Sequence, residues 1–283
     1  MKPAQNQVLI TLDSCRWDTF ESAHAPLLKS GNIEKCWTHA TFTMAAHQAF
    51  FAGKLPHSFS GNKFFDTAAA SGRRKQVRPQ IWRLCNPESH RESVMELTGR
   101  NIKAGFRQQG FVTIGTGAMN WFDPAKPAPE HLLSDFDHFR FFANKQTGDG
   151  RNLSQQIDWI LETLSGNTKP YFLFLNIGET HHPYVAAGHS LRADWGDAAG
   201  CAAAQRASLE YIDRQLQRLF EKLDHCFITI CGDHGDCWGE DNLWGHGFYH
   251  PRVMEVPMIV FEKHRSAARR TRSWNLWPFR RVA

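Results

Sequence analysis

Between Cys226 and Gly247 the chain reads Cys-Phe-Ile-Thr-Ile-Cys-Gly-Asp-His-Gly-Asp-Cys-Trp-Gly-Glu-Asp-Asn-Leu-Trp-Gly-His-Gly. The run from Phe227 to Cys231 is too short for a helix and is apolar without alternation. That predicts a strand buried on both faces, central in a parallel sheet. Ligands of open α/β sheets bind beyond the carboxyl ends of the strands, so Asp233 and His234 leave the strand where chemistry is usually done. A carboxylate beside an imidazole can face one divalent ion, and the flanking Gly232 and Gly235 are expected to supply backbone turns that other residues resist. Taken alone, a polar pair in a surface turn is the commoner outcome of such a stretch. Other segments shift that balance.

At 283 residues the chain has the length of one large α/β domain. The expected division is a catalytic domain over 1–262 and a basic, Trp-containing tail over 263–283. No segment approaches the roughly 18 unbroken apolar residues of a membrane span. From Met1 the chain passes within a few residues into Gln7-Val-Leu-Ile-Thr-Leu-Asp13, a strand pattern that leaves no room for a signal peptide, so a cytoplasmic location is expected. The seven cysteines lack Cys-x-x-Cys spacing and read as free thiols, Cys226 and Cys231 among them as strand residues. The net charge is +5, but seven Lys/Arg and no acid fall between Lys263 and Ala283, which leaves the remainder at −2. With Trp274, Trp277 and Phe279 interleaved, this tail suits a partner or an anionic surface. Nucleic acid is the disfavoured partner, and aromatics packed on the domain are the plainer reading.

Strand and helix patterns alternate along the chain. Asp13 ends the first strand as Asp233 ends its own, and a helical stretch is expected from there to about Lys29. Met44 to Ala52 are good helix formers closed by Gly53, which places Thr43 at or beside the helix N-cap. A hydroxyl there faces unpaired backbone N–H groups and the positive end of the helix dipole, a favourable place for a phosphate-like anion. Residues 54–95 read as a long excursion over the active face, with a short strand near Ile81–Leu84 and a basic run at Arg73–Arg78. A helix is expected over Glu96–Gln109, a buried strand over Phe111–Gly115, loop structure through Asp135–Phe139 and a helix over Asn152–Leu164. Tyr171–Asn176 reads as a third central strand, running into the polar cluster Glu179-Thr180-His181-His182-Pro183-Tyr184. Gln205–Leu223 is an amphipathic helix with Leu209, Ile212, Leu216 and Phe220 on one face, and Val256–Phe261 a late strand.

Six ordered segments resemble the sulfatase branch of the alkaline phosphatase-like superfamily. They are Val8–Asp13, Thr43-x-x-x-His47 with Gly53, Phe172–Leu175 followed by Glu179-x-His181-x-Pro183-Tyr184, Gly232–Gly235, Gly245-His246-Gly247 and Glu255-Val256-Pro257. The resemblance implies an α/β/α sandwich with a mostly parallel central sheet, in a single domain. It also implies a divalent ion (Mn, Zn, Mg or Ca) on Asp13, Asp233 and His234, with Thr43 as nucleophile on the same metal. Sulfatases that use formylglycine carry a Cys-x-Pro-x-Arg pattern; the matching positions here are Thr43, Ala45 and His47. Threonine is the nucleophile in related phosphodiesterases and phosphotransferases, which favours phosphoryl over sulfuryl chemistry. The carboxylate expected after Asp13 is replaced by Ser14.

The function implied is metal-dependent hydrolysis of a small anionic phosphoester, a phosphodiester or phosphonate monoester, through a phospho-threonine on Thr43. Transfer to an acceptor alcohol, sulfate-ester hydrolysis and a non-catalytic scaffold are the alternatives. His47 falls where sulfatases place a cationic Arg and is expected to contact Thr43 or a substrate oxygen. His181 and His246 are candidates to bind the transferring group or protonate the leaving oxygen. A second ion on Glu179, His181 or His182 with His246 is the alternative to one ion; the spacing around Glu179 departs from Asp-x-x-x-His and favours one.

Overall fold

The protein is described by a computed structural model over residues 5–53, 82–85, 94–97, 100–126, 130–143, 152–184 and 193–264. A seven-stranded sheet crosses it in the order β2-β11-β8-β1-β7-β5-β6. These strands are β1 (Asn6–Leu12), β2 (Asn32–Trp37), β5 (Val112–Gly117), β6 (His138–Phe141), β7 (Tyr171–Ile177), β8 (Cys226–Gly232) and β11 (Glu255–Lys263). From β8 through β1, β7 and β5 to β6 every pairing is parallel, and β11 alone runs against its neighbours β8 and β2. The remaining strands form two small antiparallel pairs, β3 (Trp82–Cys85) with β4 (Val94–Leu97) and β9 (Cys237–Trp238) with β10 (Trp244–Gly245).

Alternation along the strands sends side chains to two helical layers. On one face Val8, Ile10, Leu12, Leu173, Leu175, Ile228, Ile230 and Ile259 pack under α1 (Trp17–Ser22), α5 (Asn152–Leu164) and α6 (Ala198–Phe220). Leu209, Ile212, Leu216 and Phe220 of α6 are all buried there, as their spacing predicts. On the other face Phe172 and Phe174 meet Met44 and Phe51 of α2 (Thr43–Ala52), Phe106 of α3 (Ile102–Gln108) and Leu132 of α4 (Glu130–Leu133). This is an α/β/α sandwich with a mostly parallel sheet. Among the described residues, no helix is long and apolar enough to cross a membrane.

Several sequence expectations shift. The helix expected over Glu96–Gln109 begins only at Ile102, because the Asn101 side chain caps it by accepting the Ala104 N–H at 2.9 Å, while Val94–Leu97 pairs as a strand with Trp82–Cys85. Asp135–Phe139 is not all loop: His138 opens the edge strand β6 after Asp137 turns its carboxylate back onto the Thr113 N–H at 2.9 Å. The first helix stops at Ser22 rather than near Lys29, as Ala23 turns extended ahead of Pro26. Strand β2, exposed at the sheet edge, carries no periodic signal in the sequence. β8 is buried only on alternate residues, so the lack of alternation in its sequence overstates its cover. The basic run Arg73–Arg78 and the tail beyond His264 lie outside the described residues. The six cysteines whose side chains are described are free.

Candidate active site

Strands β1 and β8 are neighbours in register, Leu12 opposite Gly232, so Asp13 and Asp233 emerge side by side at the carboxyl edge of the sheet. Both are fully buried. Asp233 Oδ1 accepts the Ser14 N–H at 3.0 Å and the His234 N–H at 2.8 Å. Its Oδ2 has no hydrogen-bond partner; His234 Nε2 and His47 Nδ1 each stand 3.6 Å away. Ser14, where a carboxylate was expected, thus serves through its backbone, in a left-handed turn with φ of 57°. Neither Gly232 nor Gly235 has a positive φ, so the expected conformational role gives way to a steric one. A Cβ on Gly235 would sit 2.2 Å from the Arg252 carbonyl oxygen, and one on Gly232 would sit 2.8 Å from Val256 Cβ.

Thr43 is the first residue of α2, and its Oγ1 lies 3.3 Å from Asp13 Oδ2 and 3.3 Å from His234 Nε2. His234 Nδ1 faces the Gly235 carbonyl oxygen at 3.0 Å. A carbonyl only accepts, so Nδ1 carries the proton and Nε2 turns a lone pair toward the two aspartates and the threonine. The ligand atoms of Asp13, Asp233 and His234 lie within 4.8 Å of one another. Burial and the Asp13 charge push the Asp233 carboxyl well above its usual range. Two adjacent buried carboxylates, an unpartnered oxygen and an imidazole lone pair form a set completed by a cation, and this donor set fits a divalent ion.

His47 lies one turn along α2, fully buried among the rings of Phe50, Phe122 and Phe174. Its Nδ1 is 2.8 Å from the Thr43 carbonyl oxygen, and its Nε2 is 2.8 Å from Thr11 Oγ1, which in turn accepts from Asn176 Nδ2 at 3.2 Å. The contact is therefore with the Thr43 backbone, not its hydroxyl. Burial lowers the imidazole pKa to about 4, so a neutral ring occupies the position that aligns with the Arg of the sulfatase pattern. Its role here is to pin the start of α2 to β1.

His246 reaches the site from the loop after β10. Its ring centroid lies 4.2 Å from that of His234 and 5.6 Å from that of His181. His181 gives Nδ1–H to the His182 carbonyl oxygen at 2.6 Å, which leaves Nε2 as its remaining nitrogen. The other proposed second-site residues turn elsewhere. Glu179, fully buried, accepts the Leu153 N–H at the start of α5 at 2.8 Å, and burial raises its carboxyl pKa to about 7. His182 gives Nε2–H to the Ala193 carbonyl oxygen at 2.8 Å and stacks on Trp195. Among the described residues, neither belongs to a cluster of three close ligand atoms; the second such cluster is His234, Asp236 and His246. Asp236 escaped the sequence reading, although an acid two residues past His234 was in plain view within the Gly-Asp-His-Gly-Asp run.

A model of the sulfatase family matches residues 5–275. The chain belongs to the sulfatase family. No curated protein matches this sulfatase-family chain. Solved structures do match its fold. A protein of the alkaline phosphatase superfamily from Vibrio parahaemolyticus is 15% identical, with 93% of this chain and 61% of that one covered and a TM-score of 0.58. The phosphonate monoester hydrolase of Agrobacterium radiobacter is 12% identical, with 91% and 68% covered and a TM-score of 0.58. The C-terminal periplasmic domain of EcEptC from Escherichia coli, in complex with Zn, is 12% identical, with 93% and 74% covered and a TM-score of 0.59. The sulfatase-family chain thus spans about three fifths of the length of the first of these. At such identity these structures establish its fold, the alkaline phosphatase-like α/β sandwich.

Proposed function

We propose that this protein is a metal-dependent phosphoester hydrolase with a threonine nucleophile, acting on a small anionic phosphodiester or phosphonate monoester. The observation that carries the reading is the place of the Thr43 hydroxyl, at the first residue of α2 and 3.3 Å from both Asp13 Oδ2 and His234 Nε2. Threonine here, rather than the cysteine of formylglycine-dependent sulfatases, supports phosphoryl over sulfuryl chemistry. Asp13, Asp233, His234 and Thr43 would hold the ion. When bound, a divalent cation lowers the pKa of a nearby hydroxyl and neutralises charge on phosphoryl oxygens.

The chain's own groups supply the rest. Thr43 Oγ attacks phosphorus in line with the departing oxygen while its proton passes to Asp13 Oδ2, the acceptor 3.3 Å away, to return when the intermediate opens; the new P–O bond gives phospho-threonine, and the pair from the broken bond leaves with the alcohol. The amino end of α2 adds its partial positive charge where the phosphoryl oxygens gather. His246 and His181 stand beside this point to bind the transferring group and protonate the leaving oxygen. Water then opens the intermediate and regenerates Thr43.

The test is turnover of nitrophenyl phosphate, bis-nitrophenyl phosphate, a nitrophenyl phosphonate and nitrophenyl sulfate with added manganese, by wild type and Thr43→Ala. The diester or phosphonate should be the best substrate, and Thr43→Ala should lose at least about 10³-fold in kcat. Sulfate as the best substrate, or a fully active variant, removes the assignment. A wild type that releases nitrophenol only when an acceptor alcohol is supplied would make the protein a transferase.

A further inference from the structure

Asp236 is a buried acid that the reaction above leaves unused. Its side chain is 1% exposed, and Oδ1 stands 2.7 Å from Nδ1 of His246, whose own side chain is 25% exposed. An ionised carboxylate only accepts, so the proton between them belongs to Nδ1, and Nε2 lies on the opposite side of the ring. Both ends of this contact are anchored. Arg16 Nη1 donates to the Asp236 carbonyl oxygen at 3.2 Å; the same guanidinium pairs with Asp18 at 2.6 Å and Glu240 at 2.8 Å and lies 4.0 Å over the Trp238 ring. His246 sits between Gly245 and Gly247, with φ of 80° and 95°, and the Gly247 N–H bonds the Thr41 carbonyl oxygen at 2.8 Å, two residues before the nucleophile.

We propose that Asp236 is a positioning residue for His246, holding the ring in one orientation and as the Nδ1–H tautomer so that Nε2 is the nitrogen presented to the phosphoester. The inference rests on the phosphoester reading and deepens it. The reacting form of His246 carries a proton on both nitrogens: as the P–O bond breaks and its electron pair goes to the departing oxygen, that oxygen takes the Nε2 proton and leaves the neutral Nδ1–H tautomer held by Asp236, and Nε2 regains a proton from the water that opens the intermediate. Esters of aliphatic alcohols, whose alkoxides leave poorly, depend on that proton far more than nitrophenyl esters do. They are therefore the substrate class this pair serves. A 2.7 Å separation is that of a charge-assisted hydrogen bond, and His234 directs Nε2 at the Asp13 and Thr43 cluster, so the His234, Asp236 and His246 grouping is not assigned to an ion.

The experiment has two arms, both on the full chain loaded with zinc. In the first, nitrogen-15 histidine spectra of wild type, Asp236→Asn and Asp236→Ala are assigned with His246→Ala, and bound zinc per chain is measured on each. The expected result is an Nδ1–H tautomer for His246 in wild type, its loss or mixing in both Asp236 variants, and unchanged zinc. An Nε2–H tautomer in wild type, or zinc lost in Asp236→Asn, overturns the proposal. In the second, kcat and KM are compared on diesters with alkyl and with nitrophenyl leaving groups. Asp236→Ala should lower kcat about 10- to 100-fold on the alkyl ester and much less on the nitrophenyl ester, with KM within about threefold. The Asp236→Ala/His246→Ala double variant should be no slower than His246→Ala. Additive losses would make Asp236 merely structural. Should wild type turn over no phosphoester, the function reading fails while the spectra and the zinc count still decide the Asp236 assignment.

Discussion

The sheet face beneath α2 is built in two different ways. Over β7 and β5 it is sealed: Phe174 meets the rings of Phe51, Phe122 and Phe136 at centroid distances of 5.0 to 6.1 Å, and Phe106 stacks on Phe172 at 4.8 Å. Gly115 of β5 makes room for this layer, since a Cβ there would lie 2.5 Å from the Phe136 ring. Over β8, β11 and β2 the same face is half-exposed and opens into a cavity of about 390 Å³, lined by Leu9, Cys36, Phe50, Cys231 and Met258 among others. Helix α2, which begins at Thr43, lies across the boundary between the two. Aromatic packing holds one flank, whereas on the other the loop leading to α2 is tied by hydrogen bonds, from Thr38 Oγ1 to the Asp233 carbonyl and from the Gly247 N–H to the Thr41 carbonyl. Packing sets the height of α2 above the sheet, and directional polar contacts fix the register of its first turn against Asp13 and Asp233.

The largest expected effect breaks the sealed half. Phe174→Ala removes the ring at the centre of that layer and should cost about 3–5 kcal/mol in urea unfolding. A loss below about 1.5 kcal/mol would mean that the layer is not tightly packed. Lys103 sharpens the same half. Its Nζ is buried, 4.1 and 4.3 Å from the Phe51 and Phe136 ring centroids, and donates to the His131 carbonyl oxygen at 2.7 Å. Burial lowers its pKa from 10.5 to about 7, against the opposing pull of the Asp135 carboxylate. Between these values the unfolded chain holds a proton that the folded chain releases, so this group makes stability rise with pH from about 7 toward 10.5. Lys103→Met should lose that slope, the gap between wild type and variant changing by about 3 kcal/mol between pH 7 and pH 9.5. Parallel pH profiles would mean that the fold keeps the amine charged, its pKa not lowered. On the open half, Met258→Ala should cost only about 1 kcal/mol, because the side chain is already partly exposed. If it costs as much as Phe174→Ala, the two halves are not different in kind.

Much of the frame was legible in the chain. β1, β7 and β8 are short apolar runs ending at turn formers, and α5 follows its periodicity from Asn152 to Leu164. These are local signals, set by side-chain period and backbone propensity. Two acids at strand ends and a hydroxyl beside a helix start were likewise visible, because strand direction alone sends them to one edge of a parallel sheet. β2 and β6 were not legible, since short edge strands owe their existence to the neighbour they pair with. Nor were the partners of the polar residues: Glu179 stands among the acids and histidines of a would-be site in sequence, yet its carboxylate meets the backbone of α5, 26 residues away.

By itself the sequence determined the parallel sheet, the order of its elements and the set of groups gathered at the carboxyl edge of the sheet, because each follows from periodicity, capping and the handed geometry of parallel strands, while the resemblance to sulfatases implied the sandwich. Only the tertiary structure decided that His47 is buried between the Thr43 carbonyl and Thr11, that Asp236 meets His246, and that one half of the α2 face is closed and the other open. Those outcomes depend on desolvation and on hydrogen bonds between segments far apart in the chain. Such terms exist only once the segments have been brought together.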